Sequence, residues 1–402
     1  MNIKKLKFLT LSLITFSLIS CSNEDNYQSQ DTNYTVPETY TFERNGTTTV
    51  DFFGQVQRIL MLDEIGNYVK TQATTGLVVD DVKLKSMYAN ANNSFSTTEL
   101  NASGKQLKNK TAASLDYFTL LNGGGSLTEQ SNVRTFFENQ MTNLNAASQG
   151  ASATVGIAGK YGTGAATRYF SSTGLEPVQV VLKGVTGAAF LDQVVNNYLS
   201  INKLDENANV INNTNKILDG TTNYTTMEHY WDEAYGYVLG ANADKFLSEY
   251  ITKVNADADF NTLKNDISLA FRKGRAAIVA NDYSTRNAQI AIIKEKLALM
   301  IAVRSVYYLQ VGKTKLVTDN GAAAFHDLSE GYGFIMSLRY TNKPGTNAPY
   351  FSKSEVDTML ATLLSGNNGF WDIDTLDEKL DTISTQIATK FGFTVAQAAI
   401  VN

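Results

Sequence analysis

Residues 289–309 read Gln289-Ile290-Ala291-Ile292-Ile293-Lys294-Glu295-Lys296-Leu297-Ala298-Leu299-Met300-Ile301-Ala302-Val303-Arg304-Ser305-Val306-Tyr307-Tyr308-Leu309. Ile290, Ile293, Leu297, Ile301 and Tyr308 recur at the spacing that lines up side chains on one face of an α-helix. Val178, Val181, Leu182, Val185 and Ala189 repeat the pattern, so a second long helix is expected over 178–199. The four pairs Ser96/Glu99, Ser126/Glu129, Thr225/Glu228 and Ser352/Glu355 have the Ser/Thr-x-x-Glu spacing that satisfies free amides at a helix start. With only 4 prolines in 402 residues to break helices, the chain reads as mostly α.

The helical pattern begins after a different one. Thr39 to Phe42 and Thr47 to Phe52 are β-branched and aromatic runs on either side of Arg44-Asn45-Gly46, and Asn-Gly tolerates the positive φ of a tight hairpin turn. An N-terminal β-hairpin is therefore expected. Asn122 to Gly125, with three consecutive glycines, reads as a turn. Residues 150–174 read as a structural loop. Within it Gly159-Lys160 is followed by Tyr161, where a phosphate loop needs Ser or Thr, and Thr154 stands where that loop needs glycine. Asp372, Asp374, Asp377 and Glu378 lack the central glycine of a calcium loop, and Asp374 is expected to cap a helix instead.

The net charge of −5 offers no basic field for a nucleic acid backbone, so none is expected as a partner. One cysteine and two histidines exclude a disulfide framework, a multi-cysteine zinc site and a His-Glu-x-x-His helix. Both histidines open related segments: His229-Tyr230-Trp231-Asp232-Glu233-Ala234-Tyr235-Gly236-Tyr237 and His326-Asp327-Leu328-Ser329-Glu330-Gly331-Tyr332-Gly333-Phe334. At roughly one in twenty per position, matching Glu, Tyr and Gly after both histidines is a ~10⁻⁴ coincidence, which favours an internal duplication.

On a helix, His229, Glu233 and Gly236 share one face, as do His326, Glu330 and Gly333. Glycine there costs about 1 kcal/mol of helix propensity, a penalty explained by close approach of another helix or a ligand. Thr225/Glu228 and Asn320 are expected to place the two histidines near helix N-termini, where the dipole favours neutral imidazole and ionised carboxylate. If the stripes face each other, His229, Glu233, His326 and Glu330 make a ligand set for iron, zinc or manganese. The alternative is a buried polar network that fixes helix register, in which each histidine bonds its own glutamate or Arg275, from the basic segment Phe271-Arg272-Lys273-Gly274-Arg275, turns inward to neutralise them. Tyr235, Tyr332, Gly236, Gly333 and Arg275 would then support the site.

The first residues read as an address. Lys4, Lys5 and Lys7 precede the apolar stretch Phe8 to Ile19, too short for a permanent span and typical of a signal peptide over 1–20. Leu18-Ile19-Ser20-Cys21 resembles the lipobox of bacterial lipoproteins, which implies lipid on Cys21 and an envelope, outer-membrane location. Ser22-Asn23-Glu24-Asp25 resembles a surface-export signal, and 21–37 reads as a lipidated, polar tether to a helical domain over 38–402.

Taken with Gly54-Gln55-Val56-Gln57-Arg58, Gly159-Lys160-Tyr161-Gly162, Leu175-Glu176 and the two histidine motifs, the chain resembles the DUF4856 lipoproteins over most of 38–395. By analogy that family is similar to imelysin-like proteins, duplicated helical bundles linked with iron uptake. Their Gly-x-His-x-x-Glu signature differs here: Met227 and Ala324 stand in the glycine places, and each glutamate follows one residue later. These features together are read as a lipid-anchored, non-catalytic metal or metal-complex binding accessory in nutrient uptake, with an outer-membrane transporter as an expected partner. The other reading is a structural, partner-binding or glycan-binding lipoprotein with the stripes as scaffold. Hydrolysis would need Glu233 or Glu330 as base on a metal-bound water.

Overall fold

The computed structural model describes residues 34–240, 244–318 and 321–400. The signal peptide, Cys21 and Asn320 lie outside the described residues. The compact unit begins at Val36, and the Pro37 carbonyl already accepts from Arg272, so the folded chain starts inside the segment read as a tether.

The expected hairpin is present but shorter than its apolar runs. β1 (Glu43–Arg44) pairs antiparallel with β2 (Thr47–Thr48), Glu43 opposite Thr48 and Arg44 opposite Thr47. Asn45 and Gly46 both take positive φ, 54° and 75°, as a two-residue turn of this hand requires. The run expected as a strand to Phe52 ends early, because a helix starts at Phe53.

Helices then dominate, in agreement with the mostly α reading. α1 (Phe53–Thr75), α2 (Asp81–Ala89), the short α3 (Thr98–Ala102) and α4 (Leu127–Gln149) precede a second hairpin, β3 (Gly159–Tyr161) against β4 (Arg168–Phe170). That hairpin corrects the reading of 150–174 as loop throughout. α5 (Pro177–Val185) runs on through π-helical turns to Tyr198. This stretch is apolar and long enough to cross a membrane, yet 89% of it is buried inside the protein, which marks a core helix. After α6 (Ile201–Leu204) and α7 (Asn209–Thr214), α8 (Thr226–Tyr235) is extended by a π turn, Gly236–Gly240. α9 (Leu247–Asn255), α10 (Leu263–Ala280), α11 (Tyr283–Lys315), α12 (Ala322–Ser337), α13 (Lys353–Leu363), α14 (Ile373–Phe391) and α15 (Val395–Ala399) complete the chain.

α11 is the spine. It packs against α10, α12 and α14 at once, and α12 packs in turn on α5. Ile293, Leu297, Ile301 and Leu309 are fully buried, each stabilising the fold by about 1.5–3 kcal/mol relative to exposure. The apolar stripe thus folds where its periodicity says, and the helix that carries it continues six residues beyond each end of 289–309.

The start signals divide by context. Thr225/Glu228 and Ser352/Glu355 form complete capping boxes. Ser126 accepts from the Glu129 amide, but the Glu129 carboxylate turns to Arg339 at 2.7 Å. Ser96/Glu99 makes no box: the cap falls one residue later, on Thr97, and the Ser96 amide is taken by Glu64. Asp374 is likewise not a cap. It lies in the first turn of α14, behind Asp372, whose carboxylate accepts from the backbone and side chain of Asn368.

Candidate functional site

The first stripe is built on α8. The capping box sets the helix start at Thr225, so His229 falls in the opening turns as its sequence implies. Its ring stacks on Tyr224 with centroids 4.5 Å apart, and its buried Nδ1 has no hydrogen-bond partner. Glu233 accepts from Gln55 Nε2 at 2.8 Å and is faced by the Tyr198 hydroxyl.

The inward arginine serves neither of these residues. Arg275, fully buried, binds Asp232 through Nε at 2.9 Å and Glu228 through Nη1 at 3.2 Å. Arg44 of the hairpin reaches Glu228 at 2.9 Å, and the Tyr40 hydroxyl donates to Asp232 at 2.6 Å. Burial pushes Glu228 up, but Arg275, the Thr225 amide and Arg44 together hold it below the usual carboxylate range. Desolvation dominates at Asp232 and leaves it raised.

The second stripe is built on α12, whose N-cap is Gly321. His326 Nδ1 lies 2.6 Å from Glu176 Oε2, and Glu176 is itself buried at the start of α5. Glu330 pairs with Lys183 of α5 at 2.9 Å and is reached by the Tyr308 hydroxyl of α11. Asp327 pairs with Lys315 at 2.7 Å. Burial lowers the His326 pKa, but the hydrogen bond and charge of Glu176, with Glu330 behind, raise it above the ordinary histidine value. Burial likewise raises Glu330, and Lys183 and His326 bring it below normal.

His229 and Glu233 are not brought together with His326 and Glu330. Among the described residues, the grouping of three metal-type ligands is His326, Asp327 and Glu330, with ligand atoms within 4.8 Å of one another. The reason is packing: α8 lies against α7, α10 and the turn Val194–Tyr198, whereas α12 lies against α11 and α5. The shared motif instead seats each stripe against a different helix by the same device. A Cβ on Gly236 would stand 2.4 Å from Phe52 Cβ and 3.1 Å from Gln55 Cβ, and one on Gly333 would stand 2.5 Å from Lys183 Cβ. Each glycine therefore admits the residue that bonds the stripe's own glutamate, Gln55 to Glu233 and Lys183 to Glu330. A tyrosine from a long helix, Tyr198 or Tyr308, closes each arrangement.

Of the supporting residues, Tyr235 stacks on Tyr40 with centroids 3.6 Å apart, and Tyr332 is buried in the groove between α12 and α13. Sequence reasoning missed Glu176, Lys183 and Asp327. Lys183 did leave a signal: it is the one charged residue between Pro177 and Leu191, and a lone charge in a buried apolar helix needs a partner. Glu176 and Lys183 also line a cavity of about 460 Å³ between α1, α5 and α9.

A family model described as Domain of unknown function (DUF4856) matches residues 37–394. No curated protein and no solved structure matches the chain.

Proposed function

We propose, on the premise that the chain belongs to the DUF4856 family, that it is a non-catalytic binding accessory of the cell envelope whose second stripe holds a divalent cation. The observation that carries this reading is the grouping of His326, Asp327 and Glu330 within 4.8 Å. One imidazole and two carboxylates suit iron, zinc or manganese. Glu176, bonded to Nδ1, would be the outer partner that commonly orients a ligating histidine and raises its basicity, with Nε2 left for the cation. The cation would be cargo. Lipid on Cys21 would anchor the domain to the outer membrane, beside a transporter that receives it.

A second reading rests on a specific feature. Lys183 and Lys315 already neutralise Glu330 and Asp327, so the stripe is complete as a buried scaffold that fixes α12 on α5 and α11. A bound cation would have to displace both ammonium groups. Elemental analysis of the purified full chain after equilibration with iron, zinc and manganese separates the two. Stoichiometric metal is expected in the parent and in His229→Ala, and none in a folded His326→Ala variant. No bound metal in the parent, or equal loss in both variants, favours the scaffold.

A further inference from the structure

The cavity between α1, α5, α9 and the start of β4 shares Glu176 and Lys183 with the cation reading but has further polar groups which that reading does not use. Three of its four acids are paired, Asp63 with Lys245 at 2.8 Å, Glu249 with Lys253 at 2.9 Å, and Glu176 with His326 at 2.6 Å; the fourth, Asp244, accepts from the Ser248 and Thr252 hydroxyls at 3.4 Å. Two of its four cations are paired as well, Lys183 with Glu330 and Lys245 with Asp63. Lys70 makes no ion pair among the described residues, and the Arg168 guanidinium stands 3.6 Å from Glu176, beyond hydrogen-bond reach. One acceptor on the wall is left over: Gln179 Oε1 is buried with no partner. A buried carbonyl of this kind costs about 1–3 kcal/mol unless a donor reaches it.

We infer that this cavity binds a small carboxylate that also carries a hydroxyl or amine donor. Arg168 and Lys70 take the carboxylate, Arg168 through its planar fork, and Gln179 Oε1 accepts from the hydroxyl or amine. At about 460 Å³ the cavity lies in the lower part of the range of small-molecule sites, which suits a hydroxy or amino acid rather than a large cofactor.

Isothermal titration calorimetry on the metal-free full chain tests this with three probes. Citrate supplies carboxylates and a hydroxyl, glutamate supplies carboxylates and an amine, and succinate supplies carboxylates alone. Citrate or glutamate is expected to bind at least tenfold more tightly than succinate, and which of the two binds identifies the donor. Arg168→Gln is expected to weaken that binding tenfold or more, and Gln179→Leu to erase the preference over succinate while the thermal transition stays in place. The inference is overturned if no probe binds at millimolar concentration, or if Arg168→Gln binds like the parent. Because the chain is free of metal throughout, this result and the metal analysis stand or fall separately.

Discussion

Replacing Arg275 with alanine is expected to destabilise the fold by about 3–5 kcal/mol, read from urea unfolding. The guanidinium is fully buried between two fully buried carboxylates, Glu228 and Asp232, and removing it strands both in a medium that cannot solvate them. The N-terminal hairpin hangs on the same group. Arg275 donates to Thr49 Oγ1, Arg44 shares Glu228, and Tyr40 shares Asp232, so protease cleavage near 36–52 should become faster as well. Acid gives the argument a second test. Glu228 is held below its usual range, so its contribution is present at neutral pH and lost as pH falls through its folded pKa. The variant lacks the main cation behind that depression. The gap between variant and parent should therefore narrow on acidification, and a gap that stays constant, or a loss under about 1 kcal/mol at neutral pH, would sink the argument.

The same residues show why some of the molecule could be read in advance. The α11 stripe obeys a local rule, period 3.6, and needs no knowledge of its neighbours to be seen. Thr225/Glu228 is equally local and closes as a box. Ser96/Glu99 fits the same local rule, but Glu64, 32 residues away, takes the Ser96 amide and the helix start moves. The π turns from Thr186 to Tyr198 leave no periodic mark, since an inserted residue only shifts the face. The site divides in the same way. Which residues form each stripe follows from helix geometry, and the inward turn of Arg275 from its place in a helical pattern. Whether the stripes meet is decided by which helix each glycine admits, and that depends on Gln55 and Lys183, about 180 and 150 residues away in sequence from the groups they bond.

Gly333→Ala, which adds one methyl, tests that last point most directly. Alanine favours a helix over glycine by about 1 kcal/mol, so an isolated α12 would gain. In the folded chain the new Cβ would fall 2.5 Å from Lys183 Cβ and 3.2 Å from the Gly184 amide nitrogen. The second contact is backbone, so no rotamer change relieves it, and α5 must move off α12. Overpacking of this kind costs about 1–3 kcal/mol, and the shift also pulls Lys183 away from Glu330 in a site where both are nearly buried. A net loss of about 2 kcal/mol is expected, with Lys183→Met in the same background costing less than it does alone because the pair is already strained. Gly46→Ala is the contrasting case: nothing lies within 4 Å of its Cβ, so any cost there comes from the positive φ of the turn and not from packing. If Gly333→Ala proved as stable as the parent, the shared glycine would have no role in seating the partner helix. The motif shared by the two segments would then have to be explained by something other than a common way of docking one helix on the next.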